Sequence, residues 1–256
     1  MNRHRVPAWQ ASSSTPFTSA PYPYNSCTFP LPSAQVYSEN IVGYNTVVPD
    51  GPYSMVGISF AECAGGSLML EKLTGTFSSG DEIQIPYTTE NGFDFVSYQY
   101  LTMDNDGMDN GWYDLGWDYV GDTVQLPQGS AVWYYSASGS GNVSVSGEVS
   151  KLPFSQTFSD PYTMVASGFP VAFNPNDAQF SWSMSSGDEI QVPYTTENGF
   201  DFVSYQYLTM DNDGMDDGWY DLGWGLLEGN IVSVGQGFWV YSQNGGSVTE
   251  VSPIAE

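Results

Sequence analysis

The sequence predicts an all-β fold made of two tandem homologous domains, each an antiparallel β-sandwich or a small β-barrel. Short runs rich in Val, Ile, Tyr, Phe and Thr alternate with clusters of Gly, Asn, Asp and Pro, which is the pattern of strands and turns. Aromatic residues make up 16% of the 256 residues and 28 are glycine, whereas residues typical of helix surfaces are scarce. A long internal repeat predicts the duplication.

The repeat is a block of 40 residues that occurs twice at a constant offset of 107, at residues 78–117 and 185–224, with 38 identities. The flanking segments have diverged but keep landmarks such as Tyr-Ser/Thr-Met-Val. We therefore predict one domain at residues 35–149 and a second at residues 150–256. Each is close to the commonest domain size and long enough to bury its own core.

Within each copy the strands can be placed by alternation. Residues 82–88 (EIQIPYT) and 93–101 flank Asn91-Gly92, and Asn-Gly between two alternating runs is the strongest short hairpin signal. Residues 112–117 are expected to form the next strand. Six to eight short antiparallel strands per copy are typical of a sandwich or a small barrel.

The first 34 residues differ from the rest of the chain. They contain Arg3, His4 and Arg5 but no acidic residue, and they are rich in Ser and Pro. This composition predicts a flexible or polyproline-like tail, or an altered leader that ends before Gln35 without the usual apolar core. As a tail, residues 1–34 are expected to dock as an added strand on the sheet edge of a neighbouring molecule.

The charge of the chain restricts its partners. The formal net charge is −25, and all 29 carboxylates follow residue 34, where Lys72 and Lys151 are the only basic residues. Binding to nucleic acid or to an anionic membrane requires a basic surface, so both are excluded. No apolar run reaches the roughly 18 residues of a membrane span. The two cysteines, Cys27 and Cys63, define no disulfide framework.

An acidic loop at the end of the duplicated block is a candidate calcium site. Ca²⁺ binds clusters of carboxylate and carbonyl oxygens, and Asp-Asn-Asp-Gly matches half of an EF-hand loop. The alternative is a solvated turn, in which Asp, Asn and Gly serve the backbone conformation. The candidate ligands in the two copies are Asp104, Asp106, Asp109, Asp114, Asp211, Asp213, Asp216 and Asp221.

Catalytic groups are scarce. The single histidine is His4, in the tail, which excludes a catalytic triad and a histidine-ligated zinc site from the folded part. Carboxylate pairs are conceivable, because Asp81, Glu82, Glu90 and Asp94 recur in the second copy. Two nearly identical catalytic sites with no other catalytic group would be unusual, so we predict that the protein is not an enzyme.

Four tryptophans of the duplicated block are candidate ligand-binding residues, since exposed indole rings can stack on sugars. Alternation along a strand sends neighbouring side chains to opposite faces, so at least one aromatic residue of Gly-Trp-Tyr is expected in the core. Core packing is therefore the alternative for these rings. The four candidates are Trp112, Trp117, Trp219 and Trp224.

Several segments carry a resemblance to a known set of proteins. Residues 35–60 (QVYSENIVGYNTVVPDGPYSMVGISF), 80–85 (GDEIQI), 111–114 (GWYD) and 235–240 (GQGFWV) resemble secreted bacterial β-proteins that occur as many paralogues. The likeness covers most of residues 35–256. It implies export and a β-fold, with a mature chain that starts near Gln35 after a signal peptide, and it implies no catalytic residue.

These observations together predict a secreted or cell-surface structural or adhesive protein, which assembles into a filament or layer and has calcium-stabilised loops. Its expected partners are other copies of itself, extracellular matrix or glycan. Two identical contacts on one chain would raise avidity through a high effective concentration. The alternative is a carbohydrate-binding module that uses loop aromatics and calcium.

Overall fold

The computed structural model describes residues 41–49, 51–62, 66–90, 92–102, 109–159, 161–197, 199–209 and 216–254. Within these ranges the chain forms β-strands and one 3₁₀ turn, Leu70–Lys72, and contains no α-helix. No helix of this part of the chain has the length and apolar character needed to cross a bilayer. The strands are β1 (Val42–Val47), β2 (Tyr53–Gly57), β3 (Leu68–Met69), β4 (Thr74–Thr76), β5 (Glu82–Thr89), β6 (Gly92–Leu101), β7 (Gly111–Tyr113), β8 (Gln125–Leu126), β9 (Ala131–Tyr135), β10 (Asn142–Glu148), β11 (Phe154–Phe158), β12 (Tyr162–Val165), β13 (Phe180–Ser183), β14 (Glu189–Thr196), β15 (Gly199–Leu208), β16 (Gly218–Tyr220), β17 (Phe238–Tyr241) and β18 (Gly246–Glu250).

Each copy of the repeat builds one five-stranded and one three-stranded antiparallel sheet. In the first copy the strand orders are β2-β9-β5-β6-β7 and β1-β10-β4, with an additional β3-β8 pair. The second copy repeats this plan with β12-β17-β14-β15-β16 and β11-β18-β13. The prediction of an all-β antiparallel fold is confirmed. Across the described strands no sheet closes on itself, so the barrel alternative is not seen and the packing is sandwich-like.

The predicted hairpin is confirmed in both copies. In the first copy β5 and β6 pair without interruption from Glu82 opposite Gln99 to Thr89 opposite Gly92. Gly92 has a φ of 129°, a backbone conformation that residues other than glycine rarely adopt. Asn91 lies outside the described residues. The strand expected at residues 112–117 is shorter than predicted, because β7 ends at Tyr113 and a turn follows.

A proline in the middle of β5 is tolerated because of how the sheet is paired. Strand β9 pairs with β5 only through Glu82–Gln84, so the residues of β5 beyond that point have no ladder partner in β9. Pro86 lies in this portion, where its missing N–H removes no ladder hydrogen bond to β9. Pro193 occupies the same place in β14, since β17 pairs only with Glu189–Gln191. Each five-stranded sheet therefore has an open notch beside its proline.

Alternation along the strands sends every second side chain into a core between the sheets of each copy. The buried residues of the first core include Val56, Ile83, Trp112, Tyr134 and Val145. Those of the second core include Val165, Ile190, Trp219, Val240 and Val248.

A third apolar cluster joins the two copies. It consists of Met55, Ala131, Trp133, Met164 and Trp239, so both copies contribute to it. The described residues of the two copies accordingly form one compact unit. The expectation of two separate domains divided at residue 149 is therefore not confirmed. The physical reason is that each five-stranded sheet buries large apolar side chains against the other, rather than exposing them to water.

Candidate functional site

The acidic turn that follows β7 is organised by one carboxylate. Asp114 Oδ1 accepts hydrogen bonds from the backbone N–H groups of Gly116 at 2.8 Å and Asp118 at 3.0 Å. The second copy repeats the pair, with Gly223 and Gly225 donating to Asp221 Oδ1 at 2.8 and 2.7 Å. These carboxylates hold a turn in the way that Asx turns do. We call residues 114–118 and 221–225 the first and second tips.

Of the other predicted metal ligands, the structure describes Asp109 and Asp216. The backbone carbonyl of Asp109 accepts a hydrogen bond from the Tyr113 hydroxyl, and that of Asp216 accepts one from the Tyr220 hydroxyl. Asp104, Asp106, Asp211 and Asp213 lie outside the described residues. Where the structure describes the chain, no group of three or more His, Cys, Asp or Glu side chains is arranged to hold a metal. The calcium site stays a prediction.

Each tip presents an exposed tryptophan on a left-handed backbone. Trp117 has a φ of 69° and is 65% exposed, and Trp224 has a φ of 67° and is 67% exposed. The neighbouring Leu115 and Leu222 are also exposed. For a residue with a Cβ atom this conformation costs about 1–2 kcal/mol, and bulky side chains rarely adopt it. Both copies therefore keep a large apolar side chain at a position where glycine would fit better.

The other two tryptophan candidates are core residues. Trp112 is 2% exposed and Trp219 is 0% exposed. The Trp112 ring lies 5.0 Å from Phe77 and 5.3 Å from Tyr100, measured between ring centroids. These rings are therefore unavailable as ligand platforms, which corrects that part of the prediction. Alternation alone does not explain this, because the adjacent Tyr113 and Tyr220 are also buried. Both faces of β7 are covered, since the Tyr113 ring lies 5.6 Å from Tyr119 between ring centroids.

Two of the recurring carboxylates are buried and fully engaged. Asp81 accepts hydrogen bonds from the Tyr134 hydroxyl at 2.8 Å and from the N–H groups of Ala137 at 2.8 Å and Ser78 at 2.9 Å. Burial, followed by the hydrogen bond to Asp81, raises the pKa of Tyr134. Asp188 makes the corresponding contacts in the second copy, to Ser185, Ser242 and Gln243. Both carboxylates fix the loops at the start of the hairpins.

The junction between the copies is reciprocal. Gly57 N–H donates to the Gly235 carbonyl at 2.7 Å, and Ala166 N–H donates to the Gly129 carbonyl at 2.8 Å. The first bond joins the end of β2 in the first copy to the turn before β17 in the second. The other bond joins the end of β12 in the second copy to the turn before β9 in the first. The backbones come very close here, because a Cβ atom on Gly57 would lie 2.5 Å from the Ala166 Cβ. These paired contacts follow an approximate twofold symmetry.

Aromatic contacts across the junction obey the same symmetry. Phe200, near the end of the second hairpin, lies 4.7 Å from Trp133 of the first copy. Phe93, near the end of the first hairpin, lies 4.8 Å from Trp239 of the second copy. Each hairpin of the duplicated block therefore packs against the sheet of the opposite copy. The repeated sequence is used twice within one molecule.

This arrangement leaves two related aromatic grooves. The first groove has a volume of about 380 Å³ and the second about 410 Å³. Such volumes are within the usual range of small-ligand sites. Residues that line the first groove include Tyr53, Trp133, Pro193, Tyr194, Phe200 and Gln236. Residues that line the second include Pro86, Tyr87, Phe93, Gln156, Tyr162 and Trp239.

Sequence reasoning did not find the grooves, because each is formed by residues of both copies that are far apart in the chain. Pro193, Tyr194 and Phe200 lie in the duplicated block, whereas Tyr53 and Trp133 lie in the diverged flanks. One signal was present in the sequence. The hairpin differs between the copies at one residue, Ile85 against Val192, while its surroundings have diverged, which is what a surface with two equivalent uses would require.

Comparisons of the chain with protein-family models, with curated proteins and with solved structures found no match.

Proposed function

We propose that the protein is a structural or adhesive component of the cell exterior, which acts by binding and not by catalysis. The observation that supports this proposal is the exposed tryptophan on a left-handed backbone at both tips. Strained positions and large exposed apolar side chains each tend to occur where a protein contacts a partner. Their combination at two equivalent places favours recognition through the tips.

Association between copies is the form of binding that we propose for the tips. A chain with two equivalent contact points can join two neighbours, and contacts that do not close on themselves produce filaments or layers. The net charge of −25 opposes such association at low salt. At an ionic strength near 0.15 M the screening length falls to about 8 Å, so short-range apolar contacts can outweigh the repulsion.

The expected result is association that increases with salt and depends on both tips. Replacing Trp117 and Trp224 together by glycine should weaken association by about tenfold or more, since two apolar contacts are lost. The same change should leave the free energy of unfolding unchanged or raise it by up to about 1 kcal/mol per site, because the backbone strain is relieved. Sedimentation velocity at several salt concentrations, with negative-stain images, measures association, and thermal melting measures stability.

Leu152→Ser is the matched control, because Leu152 is 73% exposed but lies outside the tips. It should leave association unchanged. Undiminished association of the double glycine variant would contradict the proposal, as would a monomeric chain at every salt concentration.

Calcium is expected to stabilise the folded chain through the acidic loops. With a Kd of about 0.1 mM, 1 mM calcium would add roughly 1.4 kcal/mol per site to the free energy of unfolding. Melting in calcium and in chelator measures this difference. Asp104→Asn with Asp211→Asn should remove it, whereas Glu228→Gln, at an exposed position outside the loops, should not. Identical melting curves in calcium and chelator would refute the metal prediction.

A carbohydrate-binding module is the second candidate function. The feature that favours it is the pair of aromatic grooves, because half-exposed rings beside hydrogen-bonding side chains suit the alternating apolar and hydroxyl-bearing surfaces of a sugar. Trp112 and Trp219 are not ligand-binding residues in this second proposal, since both are buried.

A further inference from the structure

We propose that the two aromatic grooves at the junction of the copies are subsites for an uncharged carbohydrate chain. The proposal rests on the second candidate function above and assigns it to a surface different from the tips. The grooves have matching ring sets, matching positions and similar volumes. A polymer of identical sugar units is a ligand that two equivalent grooves can bind in the same way.

The rings of the grooves are available to a ligand. Tyr87, Phe93, Tyr162, Tyr194 and Phe200 are each between 42% and 46% exposed. They stand around an almost fully buried tryptophan, Trp133 in the first groove and Trp239 in the second. Large rings that are held in place by one face and exposed on the other offer apolar area with little loss of side-chain entropy on binding. The C–H face of a pyranose ring can stack on such a surface.

A carboxylate lies beside the exposed tyrosine of each groove, next to the groove and not among the residues that line it. Tyr87 lies opposite Asp94 across the first hairpin, and its hydroxyl donates to Asp94 Oδ2 at 3.5 Å. The corresponding distance from Tyr194 to Asp201 in the second hairpin is 3.4 Å. These are long, exposed hydrogen bonds, so the carboxylate oxygens keep acceptor capacity. Sugar hydroxyls can donate to them while the sugar ring stacks on the tyrosine.

A glutamine adds hydrogen-bonding capacity to the second groove. Gln156 Nε2 donates to the Gly129 carbonyl at 3.2 Å, whereas Gln156 Oε1 is buried and has no partner among the described residues. A buried acceptor without a donor is unfavourable by about 1–3 kcal/mol. A hydroxyl group placed in the groove could supply the missing hydrogen bond after a small rotation of the side chain.

Charge selects among carbohydrate ligands. All acidic residues of the chain lie in residues 35–256, and Asp94 and Asp201 lie beside the exposed tyrosines of the grooves. Sulfated or uronic-acid polymers would bring like charges together, which is unfavourable. Neutral glycans carry no such penalty. A cationic peptide is the remaining competitor for an aromatic groove with a carboxylate next to it, and the experiment below includes it.

Affinity electrophoresis of the full chain tests the proposal. The probes are mixed-linkage β-glucan, galactomannan and dextran as neutral polymers, polygalacturonate as an anionic polymer, and oligolysine as a soluble competitor. At least one neutral polymer should retard the chain, and polygalacturonate should not. Tyr87→Ala or Tyr194→Ala should each weaken retardation by about tenfold, and the double variant should abolish it.

Tyr87→Phe with Tyr194→Phe keeps the rings and should retain most of the retardation. Tyr44→Ala, which removes a tyrosine that is 78% exposed outside both grooves, should change nothing. The proposal is overturned if no neutral polymer retards the chain, if the double alanine variant behaves as the unaltered chain, or if oligolysine binds through the grooves and the neutral polymers do not. Salt-dependent association through the tips is a separate readout, so either proposal can fail alone.

Discussion

Trp133→Ala is expected to lower the free energy of unfolding by about 3–5 kcal/mol and to destabilise both copies together. Trp133 is 5% exposed and belongs to the apolar cluster that joins the copies. Truncating a buried tryptophan removes transfer free energy and leaves a cavity, which accounts for this magnitude. Because the ring packs against Phe200 of the other copy, the loss weakens the junction as well as the first sheet.

Chemical denaturation followed by near-ultraviolet circular dichroism checks this expectation. The unaltered chain should unfold in one cooperative transition, and the variant should keep one transition at a lower midpoint. Trp117→Ala is the matched control, since it removes the same side chain from an exposed tip and should change stability by no more than about 0.5 kcal/mol. Two well-separated transitions, with only one of them shifted by Trp133→Ala, would show that the copies are energetically independent.

Glu250→Gln is expected to stabilise the protein at neutral pH by up to about 3 kcal/mol and to have little effect near pH 4. Glu250 is 2% exposed on β18. Ser167 Oγ donates to Glu250 Oε2 at 2.7 Å, and Gly168 N–H donates to the carboxylate at 3.1 Å. Burial outweighs these hydrogen bonds and raises the pKa of Glu250 from 4.5 to about 7.

The direction of the pH dependence follows from that shift. The folded state holds the Glu250 proton more tightly than the unfolded state, so stability from this group is fully present below about pH 4.5. It is lost as the pH rises through about 7, because the buried carboxylate then ionises. A rise of the pKa from 4.5 to about 7 corresponds to about 3 kcal/mol. Glutamine fits the site without a charge and can still accept a hydrogen bond from Gly168.

Thermal and denaturant unfolding of the two proteins between pH 4 and pH 8 measures this dependence. The quantity of interest is the difference between the unaltered chain and Glu250→Gln, because other carboxylates affect both proteins equally. Glu228→Gln, at an exposed position, should show no comparable difference. A stability difference that stays constant over this pH range would be inconsistent with a raised pKa at Glu250.

The strand content, the hairpins and the duplication were predictable because each depends on local information. Alternation over Glu82–Thr88 and Phe93–Leu101, with Asn-Gly between them, specifies a hairpin before any distant contact forms. The duplicated block implies two copies of the same local structure. By contrast, the division into two separate domains was inferred from chain length and repetition, which carry no information on how the copies pack.

The tryptophans illustrate what remained open in the sequence. Trp112 and Trp117 belong to one short acidic and aromatic segment, and both were candidates for ligand binding. The structure separates them, with Trp112 in the core and Trp117 exposed at the tip. Alternation showed that one aromatic of Gly-Trp-Tyr would be buried, but the end of β7 at Tyr113 and the turn held by Asp114 determine the exposure of Trp117.

The sequence by itself therefore determined the fold class, the paired hairpins, the strong negative charge and the presence of two equivalent copies. Only the tertiary structure decided that each hairpin packs against the opposite copy, and that two aromatic grooves form where they meet. The physical reason is that the hairpin depends on neighbours within about 20 residues of chain. The grooves instead depend on pairs such as Trp133 with Phe200 and Trp239 with Phe93, which become neighbours only when two complete sheets bury their apolar faces together.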